Sequence, residues 1–542
     1  MKRFNVTGPC IAAKHYKVDI RDKMNKIYKM IGLGHYFCIN RPRQYGKTTT
    51  LATILFDLEN SEEYLPVFVS FEGFGDCSFL DEKSFGKDFL SCFAERCSVV
   101  PNELTEFVSS QIEKVENFRT LSSIISNIVK KANKKIVLMI DEVDSAGNHD
   151  VFIKFLAMLR EKYISADLGR EVTFHSVILC GLHDVKSLKL KIRSEQDTYK
   201  YNSPWNIAVK FEVDLSFTPD EISTMLTDYV NETKTHMDIT KISERLYFWT
   251  SGYPFLVSQL CQLVDEKIAP NRNDNQETAS TRGKGNSKFR IPNSEFERSW
   301  VESDIDEAVN LLLKDSNTLF ASMTKYLEEK KDLYALIESI VFGTQEHNYD
   351  PDSPLISMGL MYGFIKCNGD NLIKVHNKVF ENKYSNYFLA GTSTQRFNIS
   401  ISPSIYINPD GSLNFEEILV KFQKVIKENY VERQFDKYNE IDLRILFLMF
   451  INSVINGHGY TFKEAQIGQE KRLDVVVVFK GEKYVVELKV WHGKSYHETS
   501  KIQLKKYMEL ESIKNGYMLI MSKNKKKEYK VTNEDGTLMV WV

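Results

Sequence analysis

Short runs of almost purely apolar residues recur between residues 31 and 215, and longer amphipathic stretches separate them. Such runs are typical of strands covered on both faces, and their alternation with amphipathic stretches is typical of a parallel sheet flanked by helices. The candidate strands are YFCIN (36–40), VFVSF (67–71), KIVLMI (135–140) and VTFHSVIL (172–179). The sequence therefore predicts an α/β fold for this part of the chain.

Length, charge and cysteine content narrow the class of protein. A chain of 542 residues predicts roughly three or four domains, at about 100–200 residues each. The chain has 71 Lys and Arg residues and 73 Asp and Glu residues, which gives a formal net charge of −2. Overall positive charge therefore cannot bind the protein to nucleic acid, and any such contact must come from a local patch. The eight cysteines include no CxxC pair, which argues against a disulfide framework or a thiolate zinc site and fits a reducing cytosol.

The first ten residues, MKRFNVTGPC, lack the apolar core of a signal peptide. The chain also lacks a run of about 18 apolar residues of the kind that spans a bilayer. We therefore expect a cytoplasmic, soluble protein that does not contact a membrane.

A phosphate-binding sequence, RPRQYGKTTTL (41–51), follows the first candidate strand and leads into a helix-compatible stretch. Gly46 lets the backbone approach phosphate, Lys47 supplies a charge for the β- and γ-phosphate oxygens, and Thr48 supplies a hydroxyl for Mg²⁺. Arg41 stands where the pattern G-x-x-x-x-G-K-[ST] has its first glycine, so the match is incomplete at one position.

The second half of a nucleotide site follows about 90 residues later, where strand 135–140 ends in Asp141 and Glu142. Asp141 is expected to hold Mg²⁺ through water, and Glu142 to orient or deprotonate the attacking water. Both halves occur in the order that a P-loop ATPase requires, so the sequence predicts ATP and Mg²⁺ as cofactors. The residues predicted to bind the nucleotide are Arg43, Gln44, Tyr45, Gly46, Lys47, Thr48, Thr49 and Asp141.

Residues 1–270 resemble the AAA-ATPase-like proteins of bacteria. The similar segments are FNVTGPC (4–10), HY (15–16), YFCINRPRQYGKTTTL (36–51), VLMIDEVD (137–144), ILCGLHDVKSLKLKIR (178–193) and YNSPWNIA (201–208). These relatives also carry Arg in place of the first P-loop glycine. The segment SGYPFLVSQLC (251–261) resembles the helical lid of STAND-type and related P-loop ATPases, which implies that Tyr253 and Pro254 lie near the adenine or the phosphates. An ordinary helix start with aromatic packing is the alternative for these two residues.

Two further assignments stay open at the nucleotide site. His183 and Asp184 follow the fourth candidate strand, where such ATPases often place a polar sensor of the γ-phosphate, but a structural histidine would occupy the same place. Arg193 is a candidate arginine finger acting across a subunit interface, which would require a homo-oligomer.

The middle of the chain contains a helical segment, a polar stretch and a candidate small module. Thr218, Pro219 and two acids open a helical segment that is expected to continue through residues 251–264. The polar stretch PNRNDNQETASTRGKGNS (270–287) is expected to be a flexible linker. Residues 355–377 fit either a winged-helix-like module or a helical connector with a hairpin, and residues 391–412 are expected to be irregular.

The C-terminal segment carries Asp474 before one candidate strand (472–479), and Glu487 and Lys489 on the next (484–490). Alternate residues of a strand share a face, so Glu487 and Lys489 should point the same way, with Val486 and Leu488 on the other side. A hairpin would bring Asp474 towards Glu487. Two converging carboxylates suit a hard cation, Mg²⁺ or Mn²⁺, which polarises a phosphodiester, while Lys489 positions the attacking water.

This D…ExK arrangement resembles the PD-(D/E)XK nuclease superfamily. Helix 443–455 precedes the acid-bearing hairpin and helix 498–511 follows it, where RecB-related branches carry QxxxY, here Gln503 and Tyr507. The resemblance implies that both reach the metal-bound phosphate. A further acid is expected from Glu440, Asp442 or Glu464, and without it an inactive nuclease fold is possible. The lysines Lys523, Lys525, Lys526 and Lys527 either contact phosphate or are simply solvated.

The sequence thus predicts an α/β multidomain protein with a P-loop ATPase core joined to a metal-dependent nuclease that cleaves DNA. By analogy with fused ATPase–nuclease systems, its purpose would be defence against foreign or mobile DNA. The predicted domains are the ATPase core (1–217), the helical lid (218–269), the linker (270–290), the helical or winged-helix-like module (291–390), a connector (391–412) and the nuclease-like domain (413–542). The rivals are a STAND-like switch, with the nuclease fold as a binding module, and a translocating motor.

Overall fold

The computed structural model describes residues 1–97, 102–147, 149–182, 205–270, 299–342, 347–369, 371–396, 403–429, 440–455, 459–462, 475–479, 482–491, 494–510, 513, 515–522, 529–534 and 536–542. Several predictions made from the sequence lie outside the described residues. They concern His183, Asp184, Arg193, the linker, Glu464, Asp474 and the lysines between 523 and 527.

The described residues form two compact units. The first unit comprises Met1–Thr235, Gly252–Gln262 and Leu360–Gly363. The second unit comprises His236–Ser251, Leu263–Gly359 and Phe364–Val542.

The first unit contains a parallel sheet, as the sequence predicted. Its strands are β1 (Tyr36–Asn40), β2 (Tyr64–Ser70), β3 (Lys135–Asp141) and β4 (Ser176–Gly181), in the order β1-β4-β3-β2. All neighbours are parallel, and β4 begins four residues later than expected. Among the residues described before 205, the α-helices are α1 (Arg21–Gly32), α2 (Lys47–Glu59), α3 (Glu82–Arg96), α4 (Glu103–Gln111), α5 (Phe118–Lys131), α6 (Val143–Ala146) and α7 (Asp150–Asp167).

The central strands of this sheet are buried on both faces. Every residue of β4, and every residue of β3 after Lys135, is buried, which explains the unbroken apolar runs in the sequence. On one face the core is rich in aromatic side chains, including Phe71, Phe85 and Phe155. Polar side chains of a parallel sheet therefore reach solvent at the strand ends, and the carboxyl edge of β1, β3 and β4 is where the predicted site residues follow.

Three α-helices make up the helical segment expected after Thr218. They are α8 (Pro219–Thr233), α9 (Ile239–Thr250) and α10 (Pro254–Leu263). Thr218 caps α8 in a capping box with Glu221, as its sequence predicts. Left-handed backbone at Lys234 ends α8, and left-handed backbone at Ser251 ends α9, so the segment expected to be helical through residue 264 is divided into separate helices.

The second unit has a helical part, with α9, α11 (Glu302–Lys314), α12 (Thr318–Glu329), α13 (Lys331–Phe342), most of α14 (Pro354–Met361) and α15 (Lys378–Arg396). Strands β5 (Ile365–Cys367) and β6 (Ile373–Val375) pair antiparallel between α14 and α15. The predicted order of a helix and two short strands is therefore present. The irregular stretch expected from Gly391 begins later, because α15 continues to Arg396.

The C-terminal part of the second unit is a six-stranded sheet in the order β11-β12-β10-β9-β8-β7. Its strands are β7 (Gly459–Phe462), β8 (Val475–Phe479), β9 (Glu482–Val490), β10 (Asn515–Met521), β11 (Val531–Glu534) and β12 (Thr537–Trp541). Strands β7, β8 and β9 form an antiparallel meander, and β10 lies parallel to β9. The helices are α16 (Phe415–Asn429), α17 (Glu440–Ile455) and α18 (Lys494–Leu510). Strand β11 was not predicted.

Within the described part of the chain, every helix is too short or too polar to cross a membrane.

Candidate functional site

The loop between β1 and α2 has the backbone that a phosphate-binding loop needs. Gln44 and Gly46 have left-handed conformations, with φ of 56° and 83°. Gly46 is the residue before α2, so the first amide groups of that helix face the loop. The Lys47 Nζ atom donates to the carbonyl oxygens of Arg41 and Pro42, at 3.0 Å each. The ammonium group therefore lies against the main chain at the start of the loop.

The acids after β3 lie next to this loop. The Thr48 hydroxyl donates to Oδ2 of Asp141 at 3.2 Å. Asp141 is buried, and its Oδ1 accepts the backbone N–H of Glu142 at 2.9 Å. A hydroxyl and a carboxylate this close supply hard oxygen atoms of the kind that Mg²⁺ prefers, so these residues fit the predicted metal.

Glu142 differs from Asp141 in its electrostatic surroundings. Burial of the carboxyl group raises the pKa of Glu142, and the nearby Asp141 raises it further. Lys47 acts in the opposite direction. A carboxyl group whose pKa is raised towards neutrality is a better proton acceptor at working pH than an ordinary glutamate.

Residues after Ser251 pack on the loop, an arrangement that fits both a helical lid and an ordinary helix start with aromatic packing. The Tyr253 hydroxyl donates to the carbonyl oxygen of Arg43 at 2.5 Å, and its ring meets the Tyr45 ring edge-on, with 4.8 Å between centroids. A Cβ atom on Gly46 would lie 3.8 Å from Cγ of Pro254. Tyr253 therefore contacts the loop, Pro254 lies beside Gly46, and Tyr45 is buried against the Tyr253 ring.

Other contacts of the loop, of α2 and of the strand ends in the first unit were not predicted. The Cys10 amide donates to Oγ1 of Thr49 at 3.0 Å, so the N-terminal segment lies beside α2. A Cβ atom on Gly363 would lie 2.8 Å from Cβ of Pro42. Asp144 accepts the amide of Leu182, directly after β4. Sequence spacing gives no signal for contacts between segments so far apart.

A second cluster of charged side chains lies in the C-terminal sheet. Lys489 and Glu487 share one face of β9, as predicted, and the Lys489 Nζ atom lies 3.0 Å from Oε1 of Glu487. Val486 and Leu488 belong to the apolar core on the other side. Glu487 is only 2% exposed and Lys489 11% exposed. A buried carboxylate beside a nearly buried ammonium is rare outside ion pairs and functional sites.

Glu440, at the start of α17, joins this cluster. Its Oε1 atom lies 3.4 Å from Nζ of Lys489 and 3.8 Å from Nη2 of Arg444. Glu440, one of the three candidates for a further acid, therefore lies beside Lys489. We call Glu440, Glu487 and Lys489 the β9 cluster.

The other predicted residues of the second site are less well described. Asp474 lies outside the described residues, although Val475, which follows it, pairs with Val486 across the hairpin. Gln503 and Tyr507 lie on α18, and their side chains are outside the description. Among the described residues, no group of three or more metal-binding side chains is gathered at one point.

Comparisons with known protein families assign two parts of the chain. Residues 15–277, just under half of the chain, match the AAA-like domain family. Residues 413–525 match a domain of unknown function, DUF8371. A search of curated proteins finds no significant match.

Solved structures resemble the chain only loosely. The Walker-type ATPase PABY2304 of Pyrococcus abyssi is 13% identical, with a TM-score of 0.44 over 70% of this chain and 99% of that protein. ORC1 of Aeropyrum pernix, solved in complex with DNA, is 12% identical, with a TM-score of 0.31 over 69% and 94%. RuvB of Thermotoga maritima, a Holliday junction branch migration motor, is 11% identical, with a TM-score of 0.30 over 66% and 92%. At these TM-scores the likeness carries no conclusion about activity.

Proposed function

We propose that the first unit binds ATP with Mg²⁺ and hydrolyses it. The observation that carries this proposal is the Thr48 hydroxyl 3.2 Å from the buried Asp141 carboxylate, beside a loop whose Lys47 ammonium lies against two carbonyl oxygens. Phosphate oxygens would accept hydrogen bonds from the Lys47 ammonium group, in place of the two carbonyl oxygens, and from the amides at the start of α2. Bound Mg²⁺ would supply charge neutralisation at the phosphates.

In this proposal each residue has one task. Lys47 binds the phosphates, while Thr48 and Asp141 hold the metal side of the nucleotide. Glu142 accepts the proton of the attacking water, for which its raised pKa is suited. Tyr253 and Pro254 cover the loop and exclude water from it.

Titration with a fluorescent ATP analogue, with and without Mg²⁺, tests the proposal. We expect Mg²⁺-dependent binding by the wild type and a loss of at least about 100-fold in affinity for Lys47→Ala, because a charge-assisted contact to phosphate disappears. Lys29→Ala, an exposed lysine on α1, is the matched control and should bind normally. Equal binding by Lys47→Ala and the wild type would contradict the proposal.

For the second unit we propose a metal-dependent nuclease that cleaves DNA phosphodiester bonds. The β9 cluster supports this, because two carboxylates and a lysine lie together at a strand end where hydrolysis of a phosphodiester needs such groups. Asp474, Gln503 and Tyr507 complete the proposed site, with Mg²⁺ or Mn²⁺ as the metal. Cleavage of foreign or mobile DNA would be its use in the cell.

Incubation of plasmid and single-stranded DNA with the full chain and Mg²⁺ or Mn²⁺ tests the nuclease proposal. Asp474→Asn should abolish cleavage with folding retained, and so should the double variant Glu487→Gln with Lys489→Met, which removes both charges of the buried pair. Lys483→Met changes another lysine of the same strand and should leave cleavage intact. Wild-type protein that cleaves no DNA under any of these conditions would rule the nuclease out.

A STAND-like switch is the second candidate, and the contact of Tyr253 with Arg43 favours it, because a lid on the loop can respond to the nucleotide. In that case a non-hydrolysable ATP analogue should change the oligomeric state, as measured by light scattering. The wild type should then hydrolyse ATP very slowly and cleave no DNA.

A further inference from the structure

Arg41 occupies the position of the first P-loop glycine, and its side chain bonds to the main chain on two sides. Nη1 donates to the carbonyl oxygen of Asn40 at 2.8 Å, and Nη2 donates to that of Val213 at 2.5 Å. The guanidinium carbon also lies 5.1 Å from the centre of the Phe211 ring. The planar head therefore has a hydrogen-bond partner at each end and an aromatic ring beneath it, which a lysine cannot reproduce.

The segment that Arg41 contacts lies at the free edge of β1. An isolated parallel bridge joins Val209 to Phe37, with the Val209 amide donating to Tyr36 at 2.8 Å. The rings of Phe37 and Phe211 then stack at 5.8 Å between centroids. Arg41 supplies the next link, at Val213. Its guanidinium thus takes the place that a backbone amide would have if this segment continued as a fifth strand.

The main chain of Arg41 belongs to the nucleotide site itself. Its carbonyl oxygen accepts from Lys47 at 3.0 Å, and its amide donates to Gly181, the last residue of β4, at 3.4 Å. Fixing the Arg41 side chain therefore fixes the main-chain atoms beside the Lys47 ammonium. Glycine at this position would lose both side-chain contacts and gain backbone freedom.

We infer that Arg41 is a positioning residue of the nucleotide site, which holds the phosphate-binding loop in shape by bonding it to residues 211–213. This inference rests on the proposed ATP binding. It leads to an unusual expectation: Arg41→Gly completes the sequence G-x-x-x-x-G-K-T, yet it weakens nucleotide binding.

Binding of a fluorescent ATP analogue and steady-state hydrolysis test this inference in the full chain. We expect Arg41→Gly to raise Kd and KM by about 10-fold or more, because two hydrogen bonds from a charged group are lost. The kcat value at saturating ATP should stay within about threefold of wild type, because Arg41 touches no reacting atom. Arg41→Lys should resemble Arg41→Gly despite its charge. Arg21→Gly, which removes an exposed arginine of the same unit, is the control.

Phe211→Leu provides a second route if Arg41→Gly folds poorly. It leaves the loop sequence intact, removes the ring beneath the guanidinium and should raise Kd in the same direction. If Arg41→Gly and Arg41→Lys bind as tightly as the wild type, the inference is overturned while ATP binding stands. A wild type that binds no nucleotide overturns the proposed function and the inference together.

Discussion

At the scale of single residues, Glu142 combines backbone strain with an unusual charge environment. Its φ of 53° lies in the left-handed region, which costs a residue other than glycine about 1–2 kcal/mol. The conformation lets α6 begin directly after β3, so the Glu142 carboxyl group stays at the strand end beside Asp141. Strain of this kind persists only where the surrounding structure enforces it, and often marks a functional position.

Glu142→Gln should lower the kcat of ATP hydrolysis by at least about 100-fold and leave nucleotide binding intact. In the wild type, kcat should fall on acidification with a midpoint above 4.5, the ordinary value of a glutamate, because burial and Asp141 raise the pKa. At low pH more of the Glu142 carboxyl group is protonated, and the protonated form cannot accept a proton from water. A pH profile of kcat at saturating ATP measures the midpoint, and one at or below 4.5 would contradict the assignment of Glu142 as the base.

Gly252 should tolerate no side chain. It has a φ of 73°, and a Cβ atom would lie 1.9 Å from the carbonyl oxygen of Phe217. We expect Gly252→Ala to lower the free energy of unfolding by at least about 3 kcal/mol. Gly8→Ala is the control, because Gly8 has a similar φ of 64° but open space around its Cα atom. That substitution should cost only about 1 kcal/mol, as measured by urea unfolding.

At the scale of elements, local patterns predicted strands better than helix ends. The four strands of the first sheet could be predicted because β3 and β4 are apolar along almost their whole length. The break after α9 also had a local signal, since Ser251, Gly252 and Pro254 are typical of a helix end and a new start. The end of α8 had none, because the residue that adopts the left-handed conformation there is Lys234, and not the Gly or Asn that is typical of a helix end.

The candidate sites show the same limit. Spacing along the chain singled out Gly46, Lys47 and Thr48 as nucleotide-binding candidates, because they follow one another where the loop ends and α2 begins. It also predicted that Glu487 and Lys489 share a face. Which acid joins them was open, because the choice depends on how α17 packs beside β9, and this packing is set by contacts between residues far apart in sequence.

Substitutions on β9 can separate the effect of the Glu487–Lys489 pair on stability from its effect on DNA cleavage. Lys489→Ala leaves Glu487, which is 2% exposed, without the ammonium 3.0 Å away, and should lower the free energy of unfolding by about 3–5 kcal/mol. The double variant Glu487→Gln with Lys489→Met removes both charges and should recover most of that loss. Urea unfolding of the two variants measures the difference. Neither should cleave DNA, and recovery of cleavage in the double variant would contradict the nuclease proposal.

At the scale of the whole molecule, the two units should respond to different ligands. An ATP analogue present at about 100 times its Kd stabilises the unit that binds it by about 2.7 kcal/mol. For a unit of this size that corresponds to a rise in Tm of about 5–10 °C. We therefore expect calorimetry to show two transitions, of which ATP and Mg²⁺ raise one. Lys47→Ala should remove that rise, and an equal shift of both transitions would contradict the assignment of ATP to one unit.

The first unit is assembled from three separate stretches of chain, the last of which is Leu360–Gly363. Gly363 follows Gly46 by 317 residues, so a ribosome working at about 5–20 residues per second needs roughly 15–60 s to pass from one to the other. Throughout that interval Pro42 lacks the covering turn at Gly363. The nascent chain thus presents an incomplete nucleotide site for many seconds, a span in which chaperones can bind it.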